Sequence, residues 1–423
     1  MRKKLSCGLD FGTSNSTCAI SGKDEVKLVP LEKHNLTLPS ALFFCDDGNI
    51  LFGREAIGTY MEGEEGRLMR GLKSILGTSL MQEKTVVQNR SQSFIDILST
   101  YIGHLKQKAE SFCGDRIENA VFGRPVHFHD DDQEADRLSQ QTLEDIAKSL
   151  GFKHVVFQYE PIAAAFAHEQ NVKTEKLSLV IDLGGGTSDF TIIRLSNQKS
   201  PAANREQDIL GTTGIRVGGT NFDQHLSMQA FMPYLGLHSS YRSDFENAKI
   251  LQVPLSPYIE LSDWSKVNFA QTRQAIKNTE DLLRKALEPQ KLERLLNVQQ
   301  QKLGHAFLQE VEHAKIKLTD HAEVHSDFNR MGLGFSVAVT VQEFEKIIEE
   351  CIRRISLSIE ECIKLAGIEK HQIELVILTG GSSELPAINR LVQEHFPAAE
   401  VSKENKFGSV GLGLAYNAHT VFA

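Results

Sequence analysis

Two aspartates stand in chemically matching surroundings. Asp10, in Gly8-Leu9-Asp10-Phe11-Gly12-Thr13-Ser14-Asn15, and Asp182, in Ile181-Asp182-Leu183-Gly184-Gly185-Gly186-Thr187-Ser188, each lie two residues before a glycine that opens a small polar turn. Backbone N–H groups in such turns approach an anion closely, because no side chain intervenes. The hydroxyls of Thr13, Ser14 and Thr187 add donors. A carboxylate just before each turn suits a hydrated Mg2+, which prefers oxygen and keeps part of its water, so Asp10 and Asp182 would act through water. A third turn, Gly218-Gly219, precedes Asn221-Phe222-Asp223. A fourth, Gly380-Gly381, follows an apolar run and offers a flat backbone shelf for a nucleoside. A lone Gly-Gly pair is ordinarily only a turn. On spacing alone, a phosphate cradle and a set of plain turns both remain open. No Gly-x-x-x-x-Gly-Lys-Ser/Thr occurs. Gly332-Leu333-Gly334 and Gly408 to Gly413 lack the strand–turn–helix context of a dinucleotide fingerprint and read as turn and helix-packing glycines.

The elements that must carry these turns are legible. Cys7–Phe11 and Thr17–Ser21 read as strands around the first turn, and Leu177–Asp182 and Asp189–Ile193 as strands around the second. The two aspartates are 172 positions apart. One repeat of that length points to two similar halves rather than a solenoid, which needs at least three short units. Phe94, Ile97, Leu98, Tyr101, Ile102 and Leu105 make one helical face. Asp130 to Asp132 open a helix that Gly151 stops. An apolar stripe from Val341 to Ala366 predicts one long helix ended by Gly367. Leu375–Leu378 reads as a buried strand and Ala387–Glu394 as a helix. Tyr241 to Gln301 reads as an inserted, mostly helical segment with a break at Pro289.

Composition limits the function classes. The 423 residues carry 46 basic and 55 acidic side chains, a formal charge of −9, and 41% are hydrophobic. That is ordinary globular usage, and the acidic balance argues against a nucleic-acid or anionic-membrane surface. No apolar run reaches the ~20 residues needed to cross a bilayer, and Asp10 interrupts the N-terminal segment too early for a signal peptide. Six cysteines without a Cys-x-x-Cys fit reduced, mostly buried thiols. A soluble, cytoplasmic protein is expected.

Other clusters have blander readings. His127, His129 and Asp130 to Asp132 read as a charged loop opening a helix rather than a metal site. His321 and His325 are four apart but lack the acid placement of His-Glu-x-x-His. Trp264 and Phe269 read as core, and Glu280 to Lys302 as a solvated helical face.

The motifs together resemble the actin, sugar kinase and heat-shock protein 70 superfamily. Gly8 to Ser16 resembles its first phosphate motif, and Ile181 to Asp189 its second. Tyr159-Glu160-Pro161-Ile162-Ala163-Ala164-Ala165 is close to the Asn-Glu-Pro-Thr-Ala-Ala-Ala of the heat-shock protein 70 branch. Val217 to Asp223 is similar to its Leu-Gly-Gly-x-x-Phe-Asp, and Leu378-Thr379-Gly380-Gly381-Ser382-Ser383 to its adenosine motif. The resemblance covers the whole chain as an ATPase domain and is closest to short, YegD-like members. It implies an α/β, actin-like ATPase fold: two lobes with duplicated sheet-plus-helix cores around a nucleotide cleft. The expected lobes are 1–172, with an inserted subdomain near 38–116, and 173–423, with a helical insertion near 228–340. A C-terminal helix, about 408–423, would pack back on the first lobe.

The same resemblance implies roles. Asp10 and Asp182 would arrange Mg2+ and its waters. Gly12, Thr13, Ser14 and Asn15 would cradle phosphates with Gly184, Gly185, Gly186 and Thr187, and Gly218 is among the expected nucleotide contacts. Glu160 would sit near the attacking water or a metal-bound water. Lys73 matches the family's catalytic lysine, Glu312 and Lys315 its ribose contacts, and Thr319 a serine that contacts the base. Gly219, Gly380, Gly381 and Ser382 complete the expected nucleotide contacts. ATP or ADP with Mg2+ is the implied ligand, with slow hydrolysis and a chaperone-related role through an unidentified protein partner.

Departures fall on the nucleoside side. Ile316 replaces an arginine that stacks on adenine, Glu384 stands where a second arginine is expected, and Phe407 falls where the family places an acid. Gln133 replaces a switch arginine eight residues after Pro125. The sequence ends at Ala423 without a peptide-binding segment, so no intrinsic peptide clamp is expected. A binding-only nucleotide sensor, an actin-like filament subunit and a small-molecule kinase are the rival readings.

Overall fold

Strand β1 (Ser6–Phe11) and β2 (Asn15–Ser21) are buried on nearly every residue, so they must lie inside a sheet covered on both faces. The computed structural model describes residues 5–22, 25–88, 90–169, 172–196, 206–243, 249–402 and 408–422. Phe407 lies outside them. Strand β3 (Val26–Leu28) continues the antiparallel meander, and β4 (Asn119–Arg124) and β5 (His154–Tyr159) add parallel to the other side of β1. The path of this sheet is β5-β4-β1-β2-β3, with Thr37–Pro39 also pairing with β2.

The second sheet repeats the first. Its strands are β6 (Lys176–Leu183), β7 (Ser188–Leu195), β8 (Ile209–Ile215), β9 (Leu375–Thr379) and β10 (Glu400–Ser402). The first three form an antiparallel meander, and β9 and β10 add parallel to β6, giving β8-β7-β6-β9-β10. Both sheets thus run third-second-first-fourth-fifth in chain order, with Asp10 and Asp182 at equivalent places on the central strands. The duplication expected from the 172-residue echo is therefore present in topology as well as in motif.

Two helices fill the space between these sheets. They are α3 (Glu160–Glu169) and α8 (Ser409–Val421). Ala163, Ala164 and Ala165 of α3 and Leu414 and Ala418 of α8 form one cluster with Val121 of β4 and Val180, Ile193 and Ile377 of the second sheet. Small residues make this possible. A methyl at Gly413 would sit 1.7 Å from the Ala163 carbonyl oxygen, and one at Gly8 would sit 2.3 Å from the Ala415 nitrogen. Helix α1 (Phe94–Cys113) is set by a Ser93–Asp96 capping box and stopped by Gly114 at φ 73°. Helix α2 (Gln133–Ser149) is capped by Asp132, which accepts from the Glu134 and Ala135 N–H groups.

The chain divides into two compact units, one of Met1–Gly219, Arg353–Glu384 and Ile388–Ala423, the other of Thr220–Ile352 and Leu385–Ala387. Both sheets belong to the first. The second unit has short helices, among them Arg273–Leu283 and Pro289–Gln300, with α5 (Gly304–Lys317) and an aromatic core of Phe231, Phe307, Phe328 and Phe335. A two-stranded hairpin, Ser240–Arg242 with Ile250–Gln252, was not anticipated there. The helical pattern is interrupted between Leu283 and Pro289, as expected, and Pro289 starts the next helix, because the first helical position needs no N–H. The stripe from Val341 to Ala366 is two helices, Val341–Ile347 and α6 (Glu349–Ala366), broken at Ile348. The apolar period continues across the break, so periodicity alone did not reveal it. The six cysteines are free, and Cys7, Cys18, Cys351 and Cys362 are buried. Among the described residues no helix is long and apolar enough to cross a membrane.

Candidate nucleotide site

The two polar turns face one another. A methyl at Gly185 would sit 2.3 Å from the Ser14 Oγ, and one at Gly186 would sit 2.8 Å from the Thr13 Oγ1. Gly184 N–H donates to the Thr187 carbonyl (2.9 Å), closing the second turn as a tight hairpin. The other glycine turns lean on it. Gly219 N–H donates to the Gly184 carbonyl (3.0 Å), and a Gly218 methyl would lie 2.7 Å from the Gly185 oxygen. Gly380, at φ 81°, leaves room for only a hydrogen beside the Leu183 carbonyl. Four glycine turns far apart in sequence therefore meet at one place, where the two hairpins bring their backbones together.

Below the turns is a buried charged cluster. Lys73 lies in a 3₁₀ turn, Leu72–Ile75, that follows Gly71 at φ 70°. Its Nζ donates to Glu160 Oε1 at 2.6 Å, and both side chains are buried. Glu160 is the first residue of α3. Asp10 lies on β1 directly opposite Thr17, whose hydroxyl donates to Asp10 Oδ2 (3.3 Å). Asp182 lies opposite Asp189 across the second hairpin. Asp189 Oδ1 accepts from the Val126 N–H at 2.6 Å.

The electrostatics follow from burial and crowding. Burial raises the Asp10 carboxyl to about 7, and Glu160 adds to the rise, while Lys73 and Thr17 oppose it. Burial, then Glu160, raise Asp189 to about 8, against the pull of the Val126 N–H, the Thr187 hydroxyl and Lys73. Asp182 is pushed well above the carboxylate range by burial and then by Glu160, Asp189 and Asp10. Burial alone would lower Lys73, but Glu160 and Asp10 outweigh it and the ammonium is held more tightly protonated than usual. Four carboxyl groups share one lysine, so the cluster lacks positive charge. Among the described residues no three His, Cys, Asp or Glu side chains are placed to hold a metal ion directly. Carboxylate oxygens of this kind suit a hydrated divalent cation held through its water.

Two acids were missed from the sequence. Asp189 is reached by counting across the hairpin: seven residues separate Asp10 from Thr17 and Asp182 from Asp189, so the repeat places an acid where the first half has a threonine. Asp223 was quoted within a motif but given no role. It is buried, and Lys315 Nζ lies 2.7 Å from its Oδ1.

The nucleoside-side candidates lie on and just after α5. Glu312 and Lys315 are half-buried, one turn apart on the helix, and Thr319 follows its end with its N–H on the Ile316 carbonyl (3.1 Å). Ile316 is 54% exposed. Gly380 ends β9, and Gly381–Glu384 forms a 3₁₀ turn in which Ser382 is buried and Glu384 exposed. Gln133 is the first residue of α2. Of the blander readings, Trp264 is buried and Phe269 half-buried, and the loop of His127 to Asp132 does open a helix.

A family model described as Hsp70 protein matches residues 6–297 and 280–421. Those matches span both sheets, all four glycine turns and α5. With the duplicated sheets and the paired hairpins already described, they make this chain a member of the Hsp70 family, with the actin-like ATPase fold of that ATP-binding, chaperone-related group.

Proposed function

We propose that this chain binds Mg-ATP and hydrolyses it slowly, by attack of water on the γ-phosphoryl group. The observation that carries the reading is the meeting of two glycine hairpins above Lys73, Glu160, Asp10, Asp182 and Asp189. Backbone N–H groups of Gly12 to Asn15 and Gly184 to Thr187 would hold phosphate oxygens, with Gly218 and Gly219 bracing the second hairpin. Lys73 would place its ammonium against the charge that builds on the transferred group. Glu160 holds that ammonium at 2.6 Å and would position the attacking water. Asp10 and Asp182 would accept hydrogen bonds from the waters of a bound Mg2+, which supplies charge neutralisation on the phosphates. Glu312 and Lys315 are assigned to the ribose, Thr319 and Gly380 to Ser382 to the nucleoside, and Asp223 to holding Lys315. Lobes of 1–172 and 173–423, an unidentified protein partner and a cytoplasmic location belong to the same reading.

The test is single-turnover hydrolysis of γ-labelled ATP with and without Mg2+, run beside Lys73→Ala. Phosphate release that depends on Mg2+ and on Lys73 supports the reading; release indifferent to both ends it. A binding-only nucleotide sensor is the second reading, favoured by exposed Ile316 and Glu384 where the resemblance leads one to expect arginines. Tight nucleotide binding without turnover would select it.

A further inference from the structure

Lys73 has a hydrogen-bonded neighbourhood that its resemblance to a catalytic lysine does not explain. Arg216 follows β8 and immediately precedes Val217-Gly218-Gly219. One guanidinium nitrogen donates to the Ser74 carbonyl at 2.5 Å, and another lies 3.0 Å from His129 Nδ1. The other ring nitrogen of His129, Nε2, lies 2.7 Å from the Leu76 carbonyl. Ser74 and Leu76 belong to the turn that carries Lys73. Asp130 Oδ2 accepts the Arg216 backbone N–H (2.9 Å) and a guanidinium N–H of Arg354 on α6 (3.3 Å).

Donor and acceptor types fix the histidine's state in this arrangement. Arginine only donates and a carbonyl only accepts. Nδ1 must therefore present its lone pair to Arg216, and Nε2 must carry the proton given to Leu76. Gly77, at φ 71°, lets the turn press against it: a methyl there would sit 2.6 Å from Nε2.

We propose that Arg216 and His129 are positioning residues that latch the Lys73 turn to the end of β8, so that the lysine's placement is tied to the Gly218–Gly219 turn bracing the second hairpin. The pair touches no reacting atom. It acts by holding the Ser74 and Leu76 carbonyls, and hence the pitch of the 3₁₀ turn. This rests on the proposed hydrolysis for its catalytic consequence, but not for the latch itself.

Two measurements separate those parts. Hydrogen–deuterium exchange on the full chain reads the turn, where Ser74, Leu76 and Thr78 N–H groups donate to Gly71, Lys73 and Ile75 carbonyls. Arg216→Ala and His129→Ala should each speed exchange across 71–78 while leaving 6–21 unchanged. His129→Gln, whose amide keeps one acceptor and one donor, should restore most of the protection. Unchanged exchange in both alanine variants overturns the latch, whether or not the chain hydrolyses ATP. Single-turnover hydrolysis reads the consequence. A loss of about ten- to a hundredfold in rate is expected with nucleotide affinity unchanged, and no further loss when either substitution is added to Lys73→Ala. An active wild type whose rate survives the loosened turn, or a loss that adds fully to that of Lys73→Ala, overturns the positioning role. An inactive wild type fails the hydrolysis proposal instead, and exchange still decides the latch.

Discussion

The Lys73 ammonium lies 2.6 Å from the Glu160 carboxylate, although 87 residues separate them in the chain. It is the cluster's counter-charge in the nucleotide-free protein. Replacing it removes the partner of a buried acid, which costs about 3–5 kcal/mol when the remaining charge cannot adjust. Lys73→Ala should therefore destabilise the fold by up to about that much, measured by chemical denaturation. Hydrolysis should be nearly abolished, while Mg-nucleotide affinity stays within about tenfold, ~1.4 kcal/mol, because the hairpins do the binding. Equal turnover in mutant and wild type would remove Lys73 from the mechanism.

Asp10→Asn and Asp182→Asn should trade function for stability. Each removes one member of a set of mutually repelling buried acids, so the nucleotide-free protein should melt higher at pH 8. Each should also weaken the Mg2+ dependence of hydrolysis by removing an acceptor for metal-bound water. A variant with an unchanged Mg2+ titration would exclude that carboxylate from the site.

The raised carboxyls set a pH dependence of definite sign. Asp10 near 7 and Asp189 near 8 hold protons that the unfolded chain gives up near 4. The folded protein therefore binds more protons across that window, and stability falls as pH rises through it. The nucleotide-free protein should melt higher at pH 6 than at pH 8. A Mg2+ brought beside these carboxyls with the nucleotide would favour their ionised form, so Mg-nucleotide binding should release on the order of one proton at pH 7, a value belonging to the coupled group. Calorimetry in buffers of different ionisation enthalpy measures this; proton uptake on binding would contradict the charge assignment.

Gly185→Ala puts a methyl 2.3 Å from the Ser14 hydroxyl and 3.1 Å from its Cβ. The two hairpins must move apart, and nucleotide affinity should fall by more than tenfold, over ~1.4 kcal/mol. Gly58→Ala is the control, since its methyl meets no atom within 4 Å. Equal affinity in both variants would show that the hairpins do not share a ligand.

Ile316 offers apolar contact but no cation, and a cation–π stack is worth ~0.5–2 kcal/mol. ATP and GTP should bind within roughly tenfold of each other, ~1.4 kcal/mol, and Ile316→Arg should favour ATP. A thousandfold preference in the wild type, measured by calorimetry, would show that Glu312 to Thr319 has been assigned wrongly.

Motif and topology were legible because both come from local rules. The turns need glycine, the strands around them are apolar, and the repeat carries the same seven-residue hairpin twice. Asp189 escaped notice because its partner is set by register, which the eye does not follow across a turn. The Arg216–His129 contact and the Lys315–Asp223 pair escaped for a different reason: each joins segments 87 and 92 positions apart, and no local pattern records which partner a long polar side chain will find. The break at Ile348 was hidden by an apolar period that runs straight through it.

The close passage of α8 against β1 and α3 has a consequence for how the molecule comes into being. Gly8 and Ala415 are 407 positions apart in the sequence, yet the backbone at Gly8 has room for no methyl because Ala415 is there. Glu160 is carried by the helix that Gly413 seals. The first sheet therefore lacks this covering helix until α8 has been synthesised. Such long-range closure is slow and exposes apolar surface meanwhile. Docking of α8 is therefore expected to be a late step in folding of the first sheet.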